Sequence, residues 1–288
     1  MKCFGPGRCV WILVLVFALS GCSYQYLLEH KIYQEARKVR LASAQIDSLP
    51  EKEYNALVDE LSRLEVESRK RGLEFAVQQL LAELFVAKGD KKRIDWLRSQ
   101  VKDRYRKRLY QDVFVLSMRY GNYDLALWVL DEVEREFSQQ ESVRFSLPFL
   151  RCMAVVRTGN TDLCDEAIQF YTQKVNSNQA KDRFVGYQGL FFTYLARGDK
   201  EKAITYLEKM VFDSSLPARV ISNALAQEIG LLARLGELKR LKTVLERFKQ
   251  VYSSRMDDKM REYLDKMIEN INMAINTQTQ NENPRLSN

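Results

Sequence analysis

The chain has 288 residues, of which 46% are hydrophobic and 29% charged, enough apolar material for a sizeable core in one or two domains. Five prolines and twelve glycines among many Leu, Ala, Glu, Lys and Arg argue for helix almost throughout. A formal charge of +7 falls to +5 without the first 21 residues, which carry Lys2 and Arg8 and no acid, so the balance is only mildly basic. With one histidine, the usual histidine-based metal and triad sites are excluded, and no glycine-rich phosphate loop is present.

In chain order, the first segment reads as a targeting signal. Lys2 and Arg8 precede an apolar run, Val10 to Leu19, that is short for a membrane span. The run ends in Leu19-Ser20-Gly21-Cys22, which looks like the lipobox of bacterial lipoproteins. The resemblance implies that residues 1–21 are removed and that Cys22 becomes a lipidated first residue, anchored to a membrane and facing the periplasm. Ser23, rather than Asp, at the next position favours the outer membrane. Residues 22–71 are expected to form leader helices near the membrane. One covers Tyr24 to about Ile46 and stops near Leu49-Pro50, and a second covers Glu51 to Lys70. The single histidine, His30, falls on the first and is read as surface-facing.

Turn signals of glycine followed by an acidic or amide residue recur at Gly89-Asp90, Gly121-Asn122, Gly159-Asn160, Gly198-Asp199 and Gly236-Glu237. Each glycine suits a left-handed helix stop, and its successor can open the next helix. The glycines are spaced by 32, 38, 39 and 38 residues, a period that predicts an α-solenoid of helix pairs, each needing its neighbour to bury its apolar face. The segments Arg-Tyr-Gly121-Asn-Tyr-Asp-Leu-Ala126 and Ala-Arg-Gly198-Asp-Lys-Glu-Lys-Ala203 resemble the inter-helix turn of tetratricopeptide repeats, with a small alanine five residues after the glycine. At the corresponding place the other copies have Ile94, Cys164 (or Ala167 if three residues are inserted) and Leu241, and the period mostly exceeds the family's usual value of about 34, so the resemblance is to a degenerate array over residues 72–255. An amphipathic helix over 256–276 is expected to cap it, and the polar residues 277–288 to be disordered.

Cys152 and Cys164 are the cysteines left in the folded part; a disulfide is open to them in an oxidising compartment, but their apparent difference in height favours two small buried residues. Acidic pairs such as Asp131-Glu132 and Asp165-Glu166 read as solvated faces, so no catalytic residue, cofactor or metal is expected.

Between Lys88 and Arg108 there are ten basic residues against three Asp. Lys91, Lys92, Arg93, Arg104, Arg106, Lys107 and Arg108 therefore form a candidate basic surface, read as a solvated face, a contact with anionic headgroups or a contact with an acidic protein. Export makes nucleic acid an unsuitable partner.

In the repeat family ligands lie along the first helix of each pair. That register places Arg108, Gln111, Val115 and Met118, then Ser146, Phe149, Met153 and Val156, on the binding face. It continues with Val185, Gln188, Phe192 and Leu195, and with Asn223, Ala226, Gly230 and Ala233. Such a face suits a peptide of a cell-envelope protein, and the resemblance implies an adaptor of the kind used in outer-membrane assembly or cell-wall scaffolding. The alternative expectation is a small apolar ligand in an enclosed helical cavity, feeding a transporter.

Overall fold

The computed structural model describes residues 27–282, with side chains to residue 277; the signal segment, Cys22 and residues 283–288 lie outside the described residues. Among the described residues there are thirteen helices and no strand, an all-α, solenoid-like arrangement in which most helices pack on a sequence neighbour. The chain divides into two compact units, one ending at Ser138 and the other beginning at Gln139.

In the first unit, α1 (27–44) runs antiparallel to α2 (Glu51–Arg69), as the ion pairs Lys31–Glu67 (2.8 Å) and Lys38–Glu60 (3.1 Å) fix. They are followed by α3 (Glu74–Lys88), α4 (Lys91–Gln100), α5 (Asp103–Tyr120) and α6 (Tyr123–Phe137). The two leader helices share this unit's core, since Leu28, Val39, Tyr54, Leu61 and Leu64 are buried along with Leu81, Phe85, Leu97 and Val113. Helix α3 touches α2, α4 and also α5, so helices two apart in sequence lie side by side.

The expected turn chemistry is present. At the end of α3, Gly89 adopts φ 70°, which lets the Asp90 amide donate to the Phe85 carbonyl (2.9 Å), while the Asp90 carboxylate accepts from the Arg93 amide (3.0 Å). One residue thus closes one helix and caps the next. Gly198-Asp199 repeats the device, with φ 79°, a 2.9 Å bond from Asp199 to the Tyr194 carbonyl and a 3.1 Å cap on the Lys202 amide. Asn122 departs from it: its side-chain amide instead reaches the Val86 carbonyl of α3 (2.5 Å), tying one hairpin to the next.

The second unit comprises α7 (Glu141–Val155), α8 (Asp162–Val175), α9 (Ala180–Ala196), α10 (Lys200–Val211), α11 (Ala218–Leu235), α12 (Leu238–Tyr252) and α13 (Asp258–Glu282). Its core runs from Phe191 through Ile204, Leu207, Leu232 and Leu245 to Leu264 and Ile271 of α13, which packs on α12. Helix α13 continues to Glu282, past Thr277 where disorder was expected; Thr-Gln-Thr-Gln-Asn-Glu contains no Gly or Pro to stop it.

The expectation for the cysteines is corrected. Cys152 of α7 and Cys164 of α8 form a disulfide, with Cα atoms 4.4 Å apart. Cys152 precedes Gly159 by seven residues and Cys164 follows it by five, so in an antiparallel pair their heights differ by only about two residues, roughly 3 Å. The short 3-10 turn Val156–Thr158 and Gly159 at φ 80° close that pair tightly.

Candidate functional site

The second unit builds an aromatic strip from a break in a helix. Pro148 lies inside α7, where it supplies no amide and its ring disturbs the hydrogen-bond ladder. The Tyr171 hydroxyl of α8 fills the gap: it donates to the Phe145 carbonyl (2.6 Å) and accepts from the Phe149 amide (3.4 Å). Tyr171 is wholly buried, and that burial pushes its phenol above the usual tyrosine range. It reaches this position because α9 presents glycine to it. A Cβ on Gly189 would lie 2.2 Å from the Tyr171 ring, and one on Gly186 would lie 2.5 Å from the Val175 backbone nitrogen.

This packing sets Phe149 of α7 against Phe192 of α9, with ring centroids 5.3 Å apart and planes at 25°. Phe192 also lies 4.8 Å from the Phe191 ring and packs on the core, so it is part anchor and part surface. Ser146, Met153, Val185 and Gln188 are half-buried on the same two helices, Val156 is half-buried in the 3-10 turn after α7, and Leu195 is 37% exposed. Helices α7 and α9 touch directly, so the strip is continuous across them. On α11, Asn223, Ala226 and Ala233 are exposed and Gly230 has open space beside it.

In the first unit, Arg108, Gln111 and Val115 are exposed on α5 and Met118 is half-buried. Arg108 pairs with Asp112 (3.2 Å), which also accepts from Gln79 of α3 (2.6 Å).

The residues of the candidate basic surface divide between two helix starts. Lys91, Lys92 and Arg93 open α4, whereas Arg104, Arg106, Lys107 and Arg108 open α5, which starts beyond the other end of α4. Ile94 to Gln100 of α4, about 10 Å of helical rise, lie between the groups. Several of these bases are also engaged. Lys91 sits 5.0 Å from the Trp128 ring, Arg93 lies 5.1 Å from the Tyr54 ring and donates to Asn55, and Arg106 pairs with Asp103 and Glu136.

Three cavities bear on ligand binding. One of about 140 Å³ lies between α2, α3 and α4, with Val66, Leu81, Trp96 and Leu97 as apolar walls and Glu65 bonded to Arg69 and Gln78. Another, about 190 Å³, is lined by Ile221, Phe248, Tyr252, Met256 and Met260. The third, about 410 Å³, is an open cleft lined by Ile268 and five polar residues, among them Glu246, Lys249 and Asp265. The two apolar cavities are smaller than the roughly 300–1,000 Å³ of ordinary ligand sites.

Glu228 of α11 carries no signal in the sequence, yet it is the most perturbed carboxylate among the described residues. It is fully buried, neither oxygen has a hydrogen-bond partner, and burial pushes it up to about 8. The charge of Glu208 pushes the same way, while Arg240 and Arg247 oppose it. None of the three cavities takes it in. Among the described residues no group of three His, Cys, Asp or Glu converges as a metal site, and no helix is long and apolar enough to cross a membrane. No protein-family model matches the chain, and no curated protein or solved structure does either.

Proposed function

We propose that this protein is a lipid-anchored adaptor of the bacterial cell envelope, facing the periplasm and binding a segment of another envelope protein along the first helices of a degenerate tetratricopeptide-like array. The observation that carries the reading is the Phe149–Phe192 strip on the adjacent helices α7 and α9, with half-buried Met153 and Gln188 beside it. Apolar half-sockets flanked by orienting polar groups are what a docked peptide needs. Export is supported independently by the Cys152–Cys164 bond, since disulfides persist in oxidising compartments. The lipobox-like Leu19-Ser20-Gly21-Cys22 supplies the anchor in this account.

The protein acts here without catalysis or cofactor, through binding alone. A second reading, binding of a small apolar molecule, draws on the Phe248–Tyr252–Met256–Met260 cavity, but at about 190 Å³ that space suits a side chain better than a free ligand. Membrane fractionation of a Cys22→Ala variant tests the anchor. The variant should leave the membrane fraction, and retention there after a salt wash would overturn the lipoprotein reading.

A further inference from the structure

We propose that one end of the first unit is a docking face for an anionic bilayer surface. The inference rests on the lipid anchor at Cys22 and asks where that anchor must hold the folded chain. Residue 27 is the first described residue of α1, and at most five residue steps, about 17 Å fully extended, separate its Cα from that of Cys22. The Lys31–Glu67 pair sets this end of α1 beside the end of α2. The same end gathers the start of α3 and the start of α5, because Lys102 bonds Glu74 and the Phe75 and Tyr105 rings stack at 4.5 Å. The end of α4 joins them through the cavity that Trp96 and Gln100 share with Glu65 and Arg69.

What this end exposes suits a headgroup layer. Leu27 is 63%, Val66 60% and Trp96 49% exposed, and an indole beside aliphatic groups is the side-chain chemistry that settles at a membrane interface. Of the nearby carboxylates, Glu65 and Glu74 are buried and paired with Arg69 and Lys102, Glu67 pairs with Lys31, and the exposed Asp103 pairs with Arg106. Lys70 remains exposed, and the exposed Arg104 lies over the Tyr105 ring, its charge still open to solvent. The balance left facing outward is positive, which is the complement of an anionic leaflet. A soluble protein partner could also cover such a face, but only a bilayer is held within reach by the chain itself.

Reconstitution of the mature lipidated protein carrying Trp128→Phe tests the proposal, because Trp96 is then its single tryptophan once residues 1–21 are gone. The vesicles contain phosphatidylglycerol and a quencher in the headgroup region. Trp96 emission should shift to the blue and fall by about two-fold or more, and Lys70→Glu with Arg104→Glu should restore it while the protein still floats with the vesicles. Flotation with unquenched Trp96 would overturn this inference and leave the anchor standing. Loss of Trp96 accessibility to aqueous iodide without lipid quenching would also overturn it, pointing to a protein cover. Failure to float would overturn the anchor reading, and the docking face with it.

Discussion

Replacing Gly189 with alanine is a sharp probe of the packing that creates the strip. In an ordinary helix interior this change stabilises by about 1 kcal/mol, because glycine loses more backbone entropy on folding. At position 189 the added Cβ would lie 2.2 Å from two ring carbons of Tyr171 and 2.4 Å from a third. The ring has to retreat by about 1 Å to regain ordinary contact, and it has nowhere to go: Tyr171 is fully buried, and its hydroxyl is held by the Phe145 carbonyl and the Phe149 amide. Overpacking costs about 1–3 kcal/mol, and losing the hydroxyl bridge, which strands two backbone groups beside Pro148, costs about 1–3 kcal/mol more. The clash therefore wins, and Gly189→Ala should destabilise by about 2–4 kcal/mol in urea unfolding followed by circular dichroism. Gly230→Ala is the control, since its Cβ would meet nothing within 4 Å, and it should stabilise by about 0.5–1 kcal/mol. In a Tyr171→Ala background the Gly189→Ala penalty should largely vanish. A Gly189→Ala protein as stable as its parent would refute the reasoning.

Other consequences are as accessible. Reducing the Cys152–Cys164 bond, which closes a sequence separation of 12, should cost about 3 kcal/mol by loop-closure entropy; an unfolding midpoint insensitive to dithiothreitol would contradict the bond. Glu228 gives a pH dependence of definite sign. Its folded pKa, about 8, lies above the ordinary 4.5, so stability is full below about 4.5 and is lost as pH rises towards 8, by about 1.4 kcal/mol per unit. Glu228→Gln should flatten the stability profile between pH 5 and 8, and an unchanged slope would mean the carboxylate is solvated or paired. Phe149→Ser with Phe192→Ser should abolish client binding while the helical signal stays near that of the parent. Loss of the helical signal would show that the pair belongs to the core alone.

The elements that the sequence discloses are those decided locally. Glycine followed by Asp marks the ends of α3 and α9, because a left-handed stop and an N-cap need only adjacent residues. Features decided by distant partners stay hidden. Nothing near Gly189 in the chain says that Tyr171 will press against it, or that Pro148 will need that hydroxyl. The cysteine pair stays hidden because it depends on how tightly α7 and α8 close, which brings the two Cα atoms to 4.4 Å. The basic run read as one surface because adjacency along the chain hides the length of α4 between its two parts. Glu228 reads as an ordinary polar residue, and only the packing of α10 to α12 makes it a buried, unpartnered acid.

The central claim, that the α7–α9 strip receives an envelope protein, is tested most directly by a photocrosslinking residue at Gln188 or Leu195 in intact cells, with the exposed Thr243 as the control site. The account predicts one dominant envelope-protein adduct from Gln188 and Leu195 that is absent from Thr243 and lost when Phe149 and Phe192 are changed to serine. Equal adducts from all three sites, or none from the strip while a small molecule co-purifies, would contradict it.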